Sequence, residues 1–477
     1  TKPGEKLILS YSDTNAKGEG ISPAYLIGSI RSLYPKLEIE NSYYYPENPE
    51  AGIDLFLEKL VQETEKEHED ILEQADETDA MFGELYSWYL RNTEYRSRVQ
   101  KLVQSAFAGK PEDIISQSVA KALYGEVSPY SATRLERFAA CAFAHFLQYG
   151  MKLTERVEYE FKPMDMGNVM HEALESFAEE VRKRGMKWTE LTEQERNEIA
   201  DRCLDNIVAD YGNTVLKSSA RNEYMIERTR RILRRTVWAL QKQLEQGEFQ
   251  PEGFEVTFGG GRIDRVDIME DQNKVYVKVI DYKTGNTSFD LVYLYHGLQL
   301  QLMIYLDGAL RVEQKKYPDK EIIPAGVFYY NIKDPMIQEK IDADVEAVSA
   351  GLMKELKMNG LVQADPELVY RMDSSLGSIP VAFNKDGSFR KNSSVADRTQ
   401  FAVLGRYVRT KIEKIRSSIL EGDAEVSPYE LGKKNACTYC PYMTVCGFDR
   451  RLSGYEFRRL KNFSDEELWK AFDREAE

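Results

Sequence analysis

The chain has 477 residues, 42% of them hydrophobic and 30% charged, which allows two to four domains and at least one large core. No run of about 18 apolar residues occurs, and the N-terminus lacks the apolar stretch of a secretory signal, so neither a transmembrane helix nor a signal peptide is expected. The net charge of −15 argues weakly against a nucleic-acid-binding protein, which would normally be basic. That charge is uneven, however, because residues 57–79 are acidic and residues 217–243 are basic.

Five stretches follow along the chain. Residues 1–46 predict a strand, a loop and a helix, and because the strand-like run lies close to a start without methionine, we expect a fragment of a longer protein. Residues 47–125 show helical periodicity, and residues 126–250 predict three or four helices. Residues 251–335 carry the clearest strands, in the order strand–strand–strand–helix–strand, which is typical of an α/β core. Residues 336–477 are largely helical.

Two acidic residues and a lysine mark the best-defined strand, residues 274–285. Alternation places Asp281 and Lys283 on one face, together with three valines, just before a glycine. Asp264 precedes Asp281 by about one hairpin, and two carboxylates that converge from neighbouring strands are what a Mg²⁺ site needs. Asp267 competes with Asp264, but alternation turns it to the opposite strand face. Taken alone, the Asp281–Lys283 pair also fits a surface ion pair at a strand end.

Two helices carry further polar candidates. Gln301 and Tyr305 lie four residues apart, so their side chains share one helical face, although Tyr305 alone would be an ordinary core aromatic. His171 stands at the edge of the apolar face of an earlier helix. A neutral histidine is a common metal ligand, but a lone helical histidine is more often structural. The order of these motifs along the chain favours a functional site more than any one of them does.

The ordered motifs resemble those of the RecB-family nucleases in the PD-(D/E)XK superfamily. The matching segments are Gly167–His171, Gly261–Asp264, Asp281–Lys283, and Gln301 with Tyr305. The resemblance implies an α/β, restriction-endonuclease-like fold: a mixed sheet flanked by helices, with an additional helical N-terminal region. It also implies a DNA nuclease that depends on Mg²⁺.

The family's residue roles carry over by the same match. The implied metal ligands are His171, Asp264, Asp281 and the carbonyl of Tyr282. Lys283 would position or polarise the attacking water and stabilise the pentavalent transition state. Gln301 and Tyr305 would contact DNA or support the site.

Three of the five cysteines lie close together in the spacing Cys437-x2-Cys440-x5-Cys446, which suggests a bound metal or cluster with a fourth ligand from elsewhere. Spacing alone leaves both zinc and iron–sulfur open. Cys203 lies in a helical run and fits a small buried apolar residue, and Cys141 is the remaining candidate. So few cysteines suggest a reducing cytosol and not a secreted disulfide framework.

The resemblance favours one of these alternatives. In a subset of the RecB-like family, one cysteine precedes the nuclease core and three follow it, and the four hold a [4Fe–4S] cluster. The segment Ser131–Glu136, which leads to Cys141, matches the N-terminal motif of that subset. The implied cluster ligands are Cys141, Cys437, Cys440 and Cys446. The cluster would be a structural staple that closes a loop of about 300 residues and stabilises the fold by several kcal/mol.

A basic stripe with helical spacing runs through residues 217–243. Arg228, Arg231 and Arg235 are the candidates for binding a DNA backbone, although runs of charge are often solvated faces. No G-x-x-x-x-G-K-[ST] motif occurs, so the chain is not expected to hydrolyse ATP by itself.

Over nearly its whole length, the chain resembles the C-terminal part of the AddB family, proteins that pair with an AddA-type motor in bacterial helicase–nucleases for broken DNA ends. The resemblance makes residues 1–46 the tail of a helicase-like domain, residues 47–125 a helical region and residues 126–477 the nuclease domain. It implies a cytoplasmic deoxyribonuclease that degrades the 5′-terminated single strand during recombinational repair of double-strand breaks. Two alternatives stay open: a non-catalytic DNA-end scaffold that needs AddA and the missing N-terminal region, and an interaction module whose cysteines hold zinc.

Overall fold

The computed structural model describes residues 22–37, 77–106, 114–125, 131–154, 163–210, 219–259, 261–337, 344–450 and 454–476, and single positions before residue 77. The chain divides into two compact units, residues 1–108 and residues 109–477. The strand predicted near the N-terminus and most of the acidic stretch 57–79 lie outside the described residues.

Helices make up most of the described part of the first unit. Its described helices are α1 (Tyr25–Leu33), α2 (Glu77–Arg91) and α3 (Arg96–Ala106). Tyr89 of α2 and Val99 of α3 pack with Phe56 in a small apolar core. The Tyr89 hydroxyl donates to the carbonyl of Pro49 over 2.7 Å. The predicted helical N-terminal region is confirmed for these residues.

The second unit is built on a six-stranded sheet in the order β1-β2-β3-β4-β5-β6. The strands are β1 (Gln250–Phe258), β2 (Gly261–Glu270), β3 (Lys274–Lys283), β4 (Glu321–Asn331), β5 (Asn359–Gln363) and β6 (Val395–Ala396). The first three strands form an antiparallel meander, and β4 runs parallel to β3. β5 is antiparallel to β4, and β6 is parallel to β5. The predicted mixed sheet is confirmed.

Helices account for most of the rest of the second unit. In chain order they are α4 (Gln117–Tyr124), α5 (Ala132–Ala140), α6 (Ala142–His145), α7 (Pro163–Lys183), α8 (Glu193–Asp210), α9 (Ala220–Glu245), α10 (Leu291–Tyr295), α11 (Gln301–Lys316), α12 (Val345–Glu355), α13 (Pro366–Met372), α14 (Arg398–Glu421), α15 (Met443–Cys446) and α16 (Asp465–Ala476). A small second sheet comprises β7 (Tyr429–Leu431), β8 (Lys434–Asn435) and β9 (Arg458–Arg459). None of the described helices combines the length and apolarity that crossing a bilayer requires.

Helices cover both faces of the large sheet, and each face has its own core. On one face, α7, α8 and α9 pack against Ile280 and Tyr282 of β3. On the other face, α5, α11, α14 and α16 pack against Val275, Val277 and Val279 of the same strand. A strand that is buried on both sides needs apolar residues at almost every position, which explains the sequence of β3. The polar residues at its end therefore stand out.

The second unit begins before the domain boundary predicted between residues 125 and 126. Helix α4 packs in the core with α14, and the backbone N–H of Ile115 donates to the carbonyl of Gly422 over 2.9 Å. Gly422 ends α14 with a φ of 95°, and a Cβ at this position would collide with the carbonyl oxygen of Ile115. Helical periodicity does not reveal which core a helix joins, so the sequence did not place α4.

Candidate active site and cysteine cluster

The candidate active site lies where the ladder between β2 and β3 opens. Regular pairing of the two strands ends at Arg265 and Ile280. Beyond that pair, the backbone N–H of Tyr282 donates over 2.7 Å to Oδ2 of Asp264, so a carboxylate occupies the place of a strand carbonyl. This bond holds Asp264 at the end of β3, beside Asp281. Both aspartates are buried, with 9% and 1% of their surfaces exposed.

Asp281 lies in an electrostatically unfavourable place. Burial raises the pKa of Asp281 to about 7, and the neighbouring charge of Asp264 adds to the rise. Lys283 opposes that rise, since its Nζ lies 2.6 Å from Oδ2 of Asp281. A single lysine leaves the pair of carboxylates with excess negative charge, which a divalent cation would neutralise.

A third carboxylate, which the sequence did not reveal, comes from β1. Glu255 lies opposite Asp264, because its neighbours Phe254 and Val256 pair with the two neighbours of Asp264. The backbone of Glu255 has a φ of 48°, which is unusual for a residue other than glycine. The regular alternation of side chains along β1 is interrupted at this residue. Phe254 packs into one core and Val256 into the other. Burial, followed by the charge of Asp264, raises the pKa of Glu255 to about 7.

His171 reaches the carboxylates from α7. Its Nδ1 lies 3.4 Å from Oδ2 of Asp264 and 3.9 Å from Oε1 of Glu255. Burial alone would lower the pKa of His171, but the hydrogen bond and charge of Asp264 raise it above its ordinary value. One turn earlier, Gly167 faces Thr284 at the end of β3, where a Cβ would stand 3.4 Å from Oγ1. Helix α7 therefore passes close to the end of β3 at this residue.

The donor set fits a hard divalent cation. Among the described residues, the ligand atoms of His171, Glu255 and Asp264 lie within 4.8 Å of one another. Carboxylate oxygens are the protein ligands that Mg²⁺ prefers. Burial, with the charge of Asp264 adding to it, raises the pKa values of Glu255 and Asp281, so a bound cation would stabilise the charged forms of both carboxylates. Tyr282, between Asp281 and Lys283, buries its ring in the core beneath.

Helix α11 supplies a hydrogen-bonded chain to the lysine. Lys283 Nζ donates to Oε1 of Gln301 over 2.7 Å, and Nε2 of Gln301 donates to the hydroxyl of Tyr305 over 2.9 Å. The Lys283 ammonium also lies 5.4 Å from the centre of the Tyr329 ring. Gln301 and Tyr305 thus lie on one helical face, as predicted from their spacing. Gln301 contacts the lysine, and Tyr305 contacts Gln301. Burial raises the pKa of Tyr305 to about 12.

Glu136 of α5 contacts the start of α11. Its Oε1 accepts the backbone N–H groups of Leu300 and Gln301, over 2.7 and 2.9 Å. Burial raises the pKa of Glu136 to about 7, although these two hydrogen bonds and the charge of Lys283 lower it. In sequence, Glu136 was only the last residue of the motif that leads to Cys141.

Asp267, the competitor of Asp264, lies in the other core. Its carboxylate is fully buried and contacts two cations: Arg265 Nη2 lies 2.9 Å from Oδ2, and Lys278 Nζ lies 2.9 Å from the same oxygen. Burial alone would raise the pKa of Asp267, but the two cations hold it below its ordinary value. Asp267 is therefore part of a structural ion cluster.

Four of the five cysteines line one small cavity. Its sulfur-bearing lining residues include Cys141, Cys437, Cys440 and Cys446. All five cysteines of the chain are free thiols. Burial raises the pKa of Cys437 to about 12, and the three other thiols of the cavity add to the rise. Cys203 lies elsewhere, buried in the core of α7, α8 and α9.

The protein backbone also faces this cavity. Burial raises the pKa of the Cys141 thiol, whereas hydrogen bonds from the backbone N–H groups of Ala144, Ser427 and Phe143 lower it. The N–H of Phe143 also donates to the carbonyl of Glu425 over 2.9 Å, which joins the segment after α5 to the C-terminal part of the second unit. Buried thiols that receive backbone N–H groups fit a site for a metal or an iron–sulfur cluster.

The three arginines predicted to bind DNA lie along α9. Arg228 is exposed, Arg231 Nε lies 2.6 Å from Oδ2 of Asp334, and the Arg235 guanidinium lies 5.2 Å from the ring centre of Trp238. Asp334 follows the end of β4, which runs parallel to β3 and ends beside it. Arg231 is therefore close to the end of the sheet that carries the candidate active site.

Two neighbouring arginines of α9 have structural partners instead. Arg230 Nη2 lies 2.7 Å from Oδ1 of Asp205, and Arg234 Nε donates over 2.8 Å to Oδ1 of Asp201. Both aspartates belong to α8. The basic stripe of the sequence thus divides into a side that packs on α8 and a side with Arg228, Arg231 and Arg235.

Comparisons with known proteins agree with this geometry. The model of the PD-(D/E)XK nuclease superfamily matches residues 129–447. Over its whole length, the chain is 39% identical to the B component of the ATP-dependent helicase/deoxyribonuclease of Lachnoclostridium phytofermentans. It is 31% and 32% identical to the proteins of the same name from Clostridium acetobutylicum and Alkaliphilus metalliredigens. It covers 42%, 43% and 43% of these relatives, so it spans about two fifths of their length.

The predicted resemblance to the AddB family of helicase–nuclease proteins is confirmed. With a match that covers well over half of its residues, the chain belongs to the PD-(D/E)XK nuclease superfamily.

Proposed function

We propose that the chain is a Mg²⁺-dependent deoxyribonuclease module, which hydrolyses DNA phosphodiesters at the end of β3. The observation that carries the proposal is the meeting of Asp264, Asp281 and Lys283 with His171 and Glu255 at one site. An ordinary structural ion pair between Asp281 and Lys283 would not need two further carboxylates and a histidine beside it.

Each side chain has a role that follows from its position. The residues that would hold Mg²⁺ are His171, Asp264, Asp281 and the Tyr282 carbonyl, with Glu255 as an additional ligand. The bound cation supplies Lewis acidity, which polarises the phosphate and lowers the pKa of water. Lys283, held by Gln301 and Asp281, would donate hydrogen bonds to the attacking water or the phosphate oxygens and stabilise charge in the transition state.

The substrate and the partner are proposed from the relatives. Their name describes one component of an ATP-dependent helicase/deoxyribonuclease, so we propose that this module works beside an AddA-type motor protein that hydrolyses ATP. It would degrade the 5′-terminated strand, as single-stranded DNA, in recombinational repair of double-strand breaks. Arg228, Arg231 and Arg235 would bind the strand's backbone. A cytoplasmic location agrees with five free cysteines.

Cleavage of a labelled single-stranded oligonucleotide tests this proposal. The wild-type chain should degrade it with Mg²⁺ and not with EDTA. Asp281→Asn should abolish cleavage, because the substitution removes a charged metal ligand, whereas the exposed Asp319→Asn should cleave like wild type. Mg²⁺-dependent cleavage that survives in Asp281→Asn would contradict the assignment. DNA binding without cleavage by the wild-type chain would favour the non-catalytic scaffold.

We propose further that the cysteine cavity holds a [4Fe–4S] cluster. Tetrahedral zinc, with bonds of about 2.3 Å, would bring its four sulfurs to about 3.8 Å from one another. Among the described residues, no three cysteine sulfurs lie within 4.8 Å of one another, which supports a larger inorganic group. Iron, sulfide and zinc analysis of anaerobically purified chain tests this, with about four irons and four sulfides per chain expected. Zinc without iron or sulfide would contradict it and favour the zinc-binding interaction module.

A further inference from the structure

Helix α11 begins without a cap from its own sequence. Leu300 precedes the helix in a helical conformation, and no side chain next to it in sequence accepts a hydrogen bond from the first turn. The first N–H groups of a helix need acceptors, and the partial positive charge there favours a carboxylate. Glu136, which is 164 residues earlier in the chain than Leu300, accepts the N–H groups of both Leu300 and Gln301.

The capped residue also belongs to the candidate active site. The backbone N–H of Gln301 donates to the Glu136 carboxylate, and the side-chain Oε1 of Gln301 accepts a hydrogen bond from Lys283. A shift of the start of α11 would therefore move the group that orients the lysine. The side-chain Nε2 of Gln301 donates to the hydroxyl of Tyr305 on the same helix, so the Gln301 side chain would move together with the helix.

The helix that carries Glu136 packs in the core. Helix α5 begins at Ser131, whose hydroxyl accepts the N–H of Arg134, and it buries Leu135 and Ala139 in the core shared with α11 and α14. The carboxylate is thus held by a packed helix that contributes no ligand to the proposed Mg²⁺ site.

We propose that Glu136 is a positioning residue for phosphodiester cleavage: by capping α11 across the core, it places Gln301 so that Lys283 points at the scissile phosphate. The inference deepens the proposed nuclease function and rests on it for the identity of the reaction. Its structural part, the placement of Gln301 by Glu136, can be tested without catalysis.

Two substitutions separate capping from other effects. Glu136→Ala removes the acceptor, whereas Glu136→Gln keeps an oxygen that can accept both N–H groups. In oligonucleotide cleavage with Mg²⁺, Glu136→Ala should lower kcat about 10- to 100-fold, with KM within about threefold of wild type. Glu136→Gln should stay within about threefold in kcat. Thr133→Ala, at an exposed position of the same helix, is the matched control.

A double-substitution cycle tests whether the effect passes through Gln301. If Glu136 acts by placing Gln301, the variant with both Glu136→Ala and Gln301→Ala should be no slower than the slower single variant. If Glu136→Ala acted only by lowering the amount of folded protein, its fold-loss of cleavage rate would multiply with that of Gln301→Ala. Multiplicative losses, full activity of Glu136→Ala, or a Glu136→Gln variant as slow as Glu136→Ala would overturn the proposal.

Crystal structures of the two Glu136 variants give a readout that does not require cleavage. In Glu136→Ala, the first turn of α11 should shift and the contact between Gln301 Oε1 and Lys283 Nζ should be lost, whereas Glu136→Gln should keep it. An unmoved Gln301 in Glu136→Ala would overturn the inference and leave the nuclease proposal intact. Failure of the nuclease proposal would appear separately, as a wild-type chain that binds DNA and does not cut it.

Discussion

Metal binding by the candidate active site should depend steeply on pH. In the metal-free protein, the pKa values of Asp281 and Glu255 are both raised to about 7, by burial and by the charge of Asp264. A cation binds the deprotonated carboxylates, so binding releases protons and tightens as pH rises. Protonation of one group with a pKa of 7 weakens binding by factors of about 11, 2 and 1.1 at pH 6, 7 and 8. Two such groups give a dissociation constant for Mg²⁺ about 100-fold larger at pH 6 than at pH 8.

Isothermal titration calorimetry with Mg²⁺ at these three pH values measures the effect. Repeating it in buffers with different ionisation enthalpies counts the protons released. In Glu255→Gln, one titrating carboxylate is lost, so the change between pH 8 and pH 6 should shrink to about tenfold. The pKa of His171 is raised too and acts in the same direction. Asp319→Asn, far from these groups in sequence, is the control.

Two results would refute this reasoning. An Mg²⁺ affinity that is equal at pH 6 and pH 8, without proton release, would mean that the buried carboxylates do not bind the cation. An unchanged pH dependence in Glu255→Gln, with the wild type behaving as expected, would remove Glu255 from the ligand set and leave Asp281 in it.

Three more predictions rest on the same contacts. Burial and the charge of Asp264 raise the pKa of Glu255 in the folded state from 4.5 to about 7, so the folded state loses stability as pH rises between these two values. Glu255→Gln should therefore stabilise EDTA-treated protein clearly at pH 8 and much less at pH 5, measured by denaturant unfolding. Arg231→Ala should weaken single-strand binding and lower the salt slope by about 1, whereas Arg234→Ala, which loses its α8 partner, should lower Tm without changing the slope. Cys437→Ser should lose bound iron and lower Tm, whereas Cys203→Ser should keep its iron.

Local patterns predicted those parts of the site that lie on single elements. Alternation along β3 separated Asp281 and Lys283 from the residues of the opposite face, and the same rule kept Asp264 apart from Asp267. The α11 pair was visible from helical spacing. In each case the periodicity of one element was enough, because the partners were neighbours on the same strand, hairpin or helix.

Contacts between elements that are far apart in sequence could not be predicted in this way. Glu136 meets α11 only through the packing of α5 against the sheet. The sequence also could not show which arginines of α9 have structural partners. Arg230 and Arg234 bind aspartates of α8, a separate helix. Glu255 was within reach: counting back from the turn along the hairpin places it opposite Asp264. The positive φ of Glu255 interrupts the alternation of side chains along β1, so strict alternation does not predict which face Glu255 occupies.

Helix α5 carries Glu136 and ends at Cys141, its C-terminal cap. Five helical residues span about 7.5 Å, so the cap of α11 and one wall of the cysteine cavity share a single rigid body. Together with the two proposals, this arrangement puts a ligand of the proposed cluster and the residue that caps α11 on one helix, so a displacement of that helix at the cavity would also move Glu136.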